Sequence, residues 1–289
     1  INIKTMENIE NNKKKSKLWF KKLRNEICSV IESIENNNGK NKLRFKREKW
    51  FRNNKNNDSG GGEMSLLRGK VFEKAGVNIS TVYGQLSEKL KGKIPGTEKD
   101  STFWASGISL VIHPKSPSMP SVHMNTRFIV TSKFWFGGGA DITPVNKKSK
   151  KSKEIAKIFH NAFKDTCEKF KKGTYKKYKD WCDQYFYLPH RKEARGLGGI
   201  FYDNLNTGNW NNDFIFNKNV GITFLTTYKR IIEKTIDLPW TKNDLKLQLH
   251  RRSRYTEFNL LYDRGTKFGL MTDGNPDAIF MSLPPSASW

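Results

Sequence analysis

Ile108-Ser109-Leu110-Val111-Ile112 and Arg127-Phe128-Ile129-Val130-Thr131-Ser132-Lys133-Phe134-Trp135-Phe136 decide the fold class. Both runs are rich in the β-branched and aromatic residues that suit the pleated, half-buried surface of a sheet. Tyr255 to Tyr262 and Ala278 to Leu283 have a similar composition and are predicted to be strands too. Helical patterns lie around them. Over Lys17 to Glu35, Phe20, Leu23, Ile27, Val30, Ile31 and Ile34 recur at three- and four-residue steps. Ile155, Ile158, Phe159, Ala162, Phe163 and Phe170 share one face of a second helix, and Phe224, Leu225, Tyr228, Ile231 and Ile232 share one face of a third. Strands and helices do not alternate regularly, so the expected class is α+β with a largely antiparallel sheet.

With 289 residues, 36% of them hydrophobic, and 8 Trp, 9 Tyr and 19 Phe, the chain is able to bury a large core. No apolar run approaches the roughly 18 to 20 residues of a membrane-spanning helix. The sequence begins at Ile, which suggests a piece of a longer product and leaves the compartment open: cytoplasmic, or mitochondrial if a targeting segment is missing. Cys28, Cys167 and Cys182 form an odd set without Cys-x-x-Cys spacing, which argues against a disulfide framework, a zinc knuckle or an iron–sulfur cluster. Free buried thiols are expected, and with them an idle glycosylation sequon at Asn78-Ile79-Ser80.

The net charge of +25 raises the question of a nucleic-acid partner. Its distribution answers against one. Residues 1–55 carry 16 Lys/Arg against 6 Asp/Glu, and residues 147–179 carry 13 against 3, mixed with Asn or set on the polar side of helical patterns. That is the composition of a solvated face or tail. Residues 1–16 are expected to be a basic polar tail. Asn36 to Asp58, leading to Gly60-Gly61-Gly62, is expected to be a flexible Asn/Lys-rich insertion at about 36–59 within a single domain over 17–289.

Polar residues crowd into Gly/Pro-punctuated stretches at Ser109–Arg127, Phe136–Pro144, His190–Asp203, Arg251–Gly269 and Thr272–Leu283. In the first, Pro114, Pro117 and Pro120 disfavour a helix between His113 and His123. His123 leads into Asn125 and Arg127, so that an acid/base group, an amide and a guanidinium can converge on a carboxylate. Gly137-Gly138-Gly139 before Asp141 lets a flat ligand approach the backbone. It is no phosphate loop, and Gly196-Leu197-Gly198-Gly199 lacks dinucleotide spacing. Asp141, and Asp263 beside Arg264, are the carboxylates suited to act as a base or to hold a ligand N–H, with structural ion pairing as the alternative. His113, His123, His160 and His190 make no recognised metal spacing.

The chain resembles the oxygen-dependent coproporphyrinogen III oxidase family from about Leu18 to its end. The resemblance rests on VFEKAGVN (Val71–Asn78), GISLVIHP, PSVHMN, WFGGGADITP, RGLGGIFYD, YTEFNLLYDRGTKFGL and MSLPP. It implies a large antiparallel sheet flanked by helices on both faces, a homodimer whose interface includes 255–289, and oxidative decarboxylation of two propionates of coproporphyrinogen III to vinyls. Molecular oxygen is the implied co-substrate, with neither organic cofactor nor metal. If a metal is present, the resemblance puts it at His113, His123, His160 and His190.

By the same resemblance His123 is the proton donor; Asp263 and Arg264 bind or activate the tetrapyrrole, with Asp141 nearby. Ser109, Asn125, Thr126, Arg127 and Arg195 contact the substrate, as do Asp273, Gly274 and Asn275. At the last of these positions the family often has Arg, so one propionate sub-site departs from the pattern. The physical chemistry agrees: a tetra-anionic, apolar macrocycle needs guanidinium and amide contacts in an aromatic pocket, and Arg127, Arg195, Arg252, Arg254 and Arg264 are available. A non-catalytic tetrapyrrole carrier is the near alternative, and a basic nucleic-acid-binding protein the distant one.

Overall fold

The computed structural model describes residues 3–37, 42–54, 57–88, 90–272 and 274–289. Helix α1 (Ile3–Asn36) leads into strands β1 (Lys46–Asn54), β2 (Asn57–Leu67), β3 (Phe72–Gln85), β4 (Thr102–Pro114), β5 (Ser121–Val130) and β6 (Phe134–Thr143). Helices α2 (Lys150–Phe170) and α3 (Thr174–Tyr185) follow, then the short pair β7 (Tyr187–Leu188) and β8 (Glu193–Ala194), and β9 (Gly199–Leu205). Four helices end the chain: α4 (Trp210–Thr235), α5 (Lys242–Leu261), α6 (Arg264–Met271) and α7 (Pro276–Phe280). One antiparallel sheet has the order β1-β2-β3-β4-β5-β6-β9, so the expected α+β class is observed.

Strand alternation divides the sheet into two faces. Leu110, Ile112, Val122, Met124, Phe128, Ala140 and Ile142 join Leu23 and Ile27 of α1, Phe159 and Phe163 of α2, and Val220 and Phe224 of α4 in the main core. α1 and α4 approach closely at Gly221, where a Cβ would stand 2.4 Å from Leu23 Cδ2. On the opposite face Val111, His113, His123, Asn125, Arg127 and Asp141 lie beneath the C-terminal helices. His113 meets Tyr255 of α5 edge-on at 5.1 Å, and its Nε2 lies 3.0 Å from the Ser282 carbonyl oxygen. Helices therefore flank both faces.

Several local expectations are corrected. Residues 3–16 are the first turns of α1, not a tail. Ser16 is buried, and the Lys13 and Lys15 ammoniums lie 5.7 and 5.9 Å from the rings of Trp104 and Trp210. The Asn/Lys-rich stretch contains β1 and the start of β2, which add two strands to the sheet edge; residues 38–41, 55 and 56 lie outside the described residues. Tyr255–Tyr262 falls mostly in α5 and Ala278–Phe280 in α7, so both predicted strands are helical. A capping box of Thr241 and Asp244 starts α5, and its buried Arg252, Tyr255, Phe258 and Asn259 pack toward the sheet. Burial on one helical face outweighs their β preference.

Candidate active site

Between the open sheet face and helices α5 to α7 lies a cavity of about 570 Å³. Register assembles its floor: Asn78 pairs with Ser109, Ser109 with Asn125 and Asn125 with Gly139, while the adjacent row aligns Val111, His123 and Asp141. His123, Asn125 and Arg127 occupy alternate positions of β5 and share the cavity face. Thr126 lies between them on the other face of the strand and is fully buried.

A continuous chain of hydrogen bonds crosses this face. Arg195 Nη2 donates to Asp141 Oδ2 at 2.7 Å, and His123 Nδ1 donates to Asp141 Oδ1 at 2.8 Å. Asn125 Nδ2 lies 3.0 Å from His123 Nε2, while its Oδ1 accepts from Arg127 Nη1 at 3.0 Å. Arg127 Nη2 and Arg264 Nη2 each donate at 2.6 Å to one oxygen of Asp203, which also accepts from Trp181 Nε1 at 3.0 Å. The guanidinium of Arg127 fixes which way the Asn125 amide faces, and that amide then offers N–H to His123 Nε2. Nε2 is accordingly the acceptor end of the imidazole and Nδ1 the donor end.

Burial opposes ionisation of Asp141, but the Arg195 guanidinium and the His123 hydrogen bond outweigh it and hold the carboxyl below its ordinary range. Arg195 itself is buried, stacked 4.0, 4.4 and 4.8 Å from the ring centres of Phe186, Tyr255 and Phe258. Burial likewise opposes ionisation of Asp203, and Arg127 and Arg264 bring it down. Two cations on one carboxylate leave a positive surplus at this end of the cavity.

Other expected residues are placed differently. Asp263 is the N-cap of α6: Oδ2 accepts from Thr266 N at 2.6 Å and Thr266 Oγ1 at 2.8 Å, and Oδ1 from the Tyr185 hydroxyl at 2.8 Å. Arg264 follows it over the rings of Trp181 and Tyr185. Asn275 lines the cavity as N-cap of α7, accepting from Ala278 N at 3.0 Å, and Gly274 lines it beside Asn275; Asp273 lies outside the described residues. Arg252 pairs with Glu73, and Arg254 with Glu193 and Glu257, away from the cavity.

The four histidines do not converge. His113 contacts Ser121 and Ser282, His160 contacts Leu197 and Tyr175, and His190 contacts Glu257 and Tyr262, whereas His123 belongs to the chain described above. Among the described residues no group of three or more His, Cys, Asp or Glu side chains is placed to hold a metal ion. The triple glycine is packed closely within the sheet. A Cβ at Gly137 would stand 2.9 Å from Arg127 Nε, so this residue makes room for the guanidinium; Gly138 gives way to the Asn125 carbonyl oxygen and the Tyr202 hydroxyl, and Gly139 to the β9 backbone.

A profile of the coproporphyrinogen III oxidase family matches residues 15–289. The chain belongs to the coproporphyrinogen III oxidase family. It is 52% identical to a protein of Rickettsia bellii strain RML369-C named oxygen-dependent coproporphyrinogen-III oxidase, over 282 residues that cover 96% of this chain and 98% of the relative. A protein of the same name from Rickettsia rickettsii strain Sheila Smith is 52% identical over 286 residues, covering 98% and 99%. Against the pattern expected of a coproporphyrinogen III oxidase, Ser109, His123, Asn125, Arg127, Asp141, Arg195 and Arg264 line one cavity or bond to residues that do. Trp50, Arg52, Asn78 and Asp203 line it as well and were not singled out in the sequence as site residues. For Asn78, whose Nδ2 donates to Ala278 O at 2.8 Å, the sequon drew attention to the wrong chemistry. For Trp50 and Arg52, alternate placement in a polar stretch was the available signal.

Proposed function

We propose that this chain converts coproporphyrinogen III to protoporphyrinogen IX, oxidatively decarboxylating two propionates to vinyls with molecular oxygen in haem biosynthesis. The observation that carries this is the hydrogen-bonded chain from Arg195 to Arg264 along the floor of an aromatic-walled cavity. It combines a proton acceptor at His123 Nε2 with a cationic end suited to carboxylates.

In this scheme Arg127 and Arg264 hold a propionate, and Ser109 and Asn125 contact the ring edge. His123 Nε2 takes a pyrrole N–H proton, and the Asp141 carboxylate stabilises the imidazolium. Oxygen adds to the electron-rich pyrrole carbon, and the proton returns from His123 to give a hydroperoxide. The propionate β-carbon then gives a proton to the departing hydroperoxide, which leaves as H₂O₂. Cleavage of the bond to the carboxylate releases CO₂, forms the vinyl and returns the electron pair to the pyrrole nitrogen, which is reprotonated. Each turn consumes one oxygen molecule and one proton per propionate. His123 thus donates only what it has first accepted, and neither a metal nor an organic cofactor takes part.

Anaerobic mixing of the protein with coproporphyrinogen III, followed by admission of oxygen and chromatography, tests the reaction. Protoporphyrinogen IX that appears only after oxygen enters supports it. Tight binding without product would leave a tetrapyrrole carrier.

A homodimer through 255–289 belongs to the same proposal. Leu260, Leu261, Leu270 and Met271 expose 45 to 59% of their surface on α5 and α6, where a second copy would cover them. Light scattering of the eluting protein at twice the 33.5 kDa chain mass is the expected result. The proposed compartment is the cytoplasm, in keeping with three buried free thiols whose ionisation burial opposes.

A further inference from the structure

The sheet register places six residues in one row across the cavity floor: Trp50, Gly62, Ser80, Gly107, Arg127 and Gly137. Trp50 and Arg127 are the bulky members of this row, and the three residues between them are small. The Trp50 indole lies over Gly62, where a Cβ would come within 2.7 Å of its Cζ2, and the Arg127 guanidinium lies over Gly137. Between them Ser80 and Gly107 leave a shallow trough. Its ends, on β1 and β5, are separated by four strand spacings, about 19 Å.

The cationic end at Arg127 and Arg264 is one terminus of this trough. The other has its own cation. Arg52, on β1 two residues beyond Trp50, is buried, lines the cavity, lies 5.5 Å from the Phe103 ring centre and donates from Nε to Thr272 O at 2.9 Å. Trp50 Nε1 is buried and has no hydrogen-bond partner among the described residues. A carboxylate reaching this end would meet the Arg52 guanidinium beside the Phe103 ring, where partial shielding from water strengthens a charge-assisted hydrogen bond.

We propose that Arg52 is a substrate-binding residue that holds one of the two propionates surviving the reaction, so that the macrocycle lies across the strands, from Arg127 and Arg264 at one end to Arg52 and Trp50 at the other. This rests on the substrate assigned above. It makes the polar N-terminal hairpin part of the binding site, and it explains why glycine or serine occupies the row wherever the flat ring would pass.

The test is a cycle between protein and substrate. Two coproporphyrinogen III analogues are made, each with one of the surviving propionates replaced by ethyl, and both are assayed with native protein and with Arg52→Gln. Arg52→Gln is expected to raise KM for coproporphyrinogen III roughly 10- to 100-fold with its melting temperature retained. One analogue is expected to show the same rise with native protein and no further rise with the variant, and Arg52→Lys should recover part of the loss. An unchanged KM in Arg52→Gln, or analogue penalties as large in the variant as in the native protein, would overturn the assignment. If native protein fails to oxidise coproporphyrinogen III at all, the substrate itself is wrong, and that outcome is separate from the failure of Arg52.

Discussion

Asp141 and Arg195 form an ion pair at 2.7 Å in which each side chain is only 2% exposed. Both charges have left water, so neither tolerates loss of the other. The second Asp141 oxygen holds His123 Nδ1, so the pair also decides which nitrogen of the imidazole faces the substrate.

Replacing Asp141 with Asn therefore has two expected effects. Turnover falls by about 10²- to 10⁴-fold because the imidazole loses its orienting carboxylate and the stabilisation of its charged form. Stability falls by roughly 3–5 kcal/mol because Arg195 is left as a buried, uncompensated cation. The folded carboxyl titrates below its unfolded value of about 4, so the pair's contribution is fully present above that pH and disappears as pH falls through the lower folded value. Urea unfolding below pH 4 should be steeply pH-dependent in native protein and less so in the variant; parallel curves would refute the pairing.

His113 provides a second pH dependence in a higher window. Burial pushes its pKa down to about 3, so protons favour the unfolded chain. Its contribution is complete above the unfolded value of about 6.5 and is lost as pH falls toward 3, by up to ~1.4 kcal/mol per pH unit. His160 shifts in the same direction, also chiefly through burial. Denaturation midpoints measured from pH 7.5 to 4.5 should fall in native protein and fall less in His113→Gln. Equal slopes would show that His113 is accessible to protons in the folded state.

His123, Asn125 and Arg127 were legible as a group because they crowd within five residues, but Pro114, Pro117 and Pro120 pointed to an extended loop rather than to β5, so the alternation that turns Thr126 to the other face emerges only from the fold. Ile108 to Ile112 lies within β4 as composition indicated, whereas the β-rich run Arg127 to Phe136 holds the end of β5, a bend at 131–133 and the start of β6, which composition does not separate. Tyr255 to Tyr262 was misread because β-branched and aromatic residues also suit a helix that packs one face on a sheet; the start signal, Thr241 with Asp244, lay well upstream. Trp50 and Arg52 were obscured by their lysines and asparagines, the composition of an edge strand with a solvated side. Asp203 could not be ranked from sequence at all, because its importance comes from two arginines that converge on it from β5 and α6.

Asp263 separates a chemical role from a capping one. Asn is nearly as good an N-cap as Asp, whereas Ala is worse by about 1 kcal/mol. If the side chain acts by fixing the start of α6 and hence Arg264, Asp263→Asn should keep most of its activity and melting temperature, and Asp263→Ala should lose both. An Asp263→Asn protein that folds normally but is as inactive as Asp141→Asn would instead give this carboxylate a direct part in the reaction.

Gly137 and Gly139 stand two residues apart on β6 and should fail differently. An alanine methyl at Gly137 meets the Arg127 guanidinium at 2.9–3.0 Å, the far end of a flexible side chain that is able to move. At Gly139 the methyl would stand 2.2 Å from the Ile200 carbonyl oxygen, backbone that is held in the β6–β9 ladder. Gly137→Ala should therefore change the melting temperature little while raising KM about tenfold, since the guanidinium leaves its place over β6 and its bond to Asp203 lengthens. Gly139→Ala should cut stability by several kcal/mol, because β9 must separate from β6 and the strand carrying Asp203 moves with it. A Gly137→Ala enzyme with native KM would mean that Arg127 binds substrate equally well from elsewhere, and the cationic end of the cavity would then owe its position to Arg264 alone.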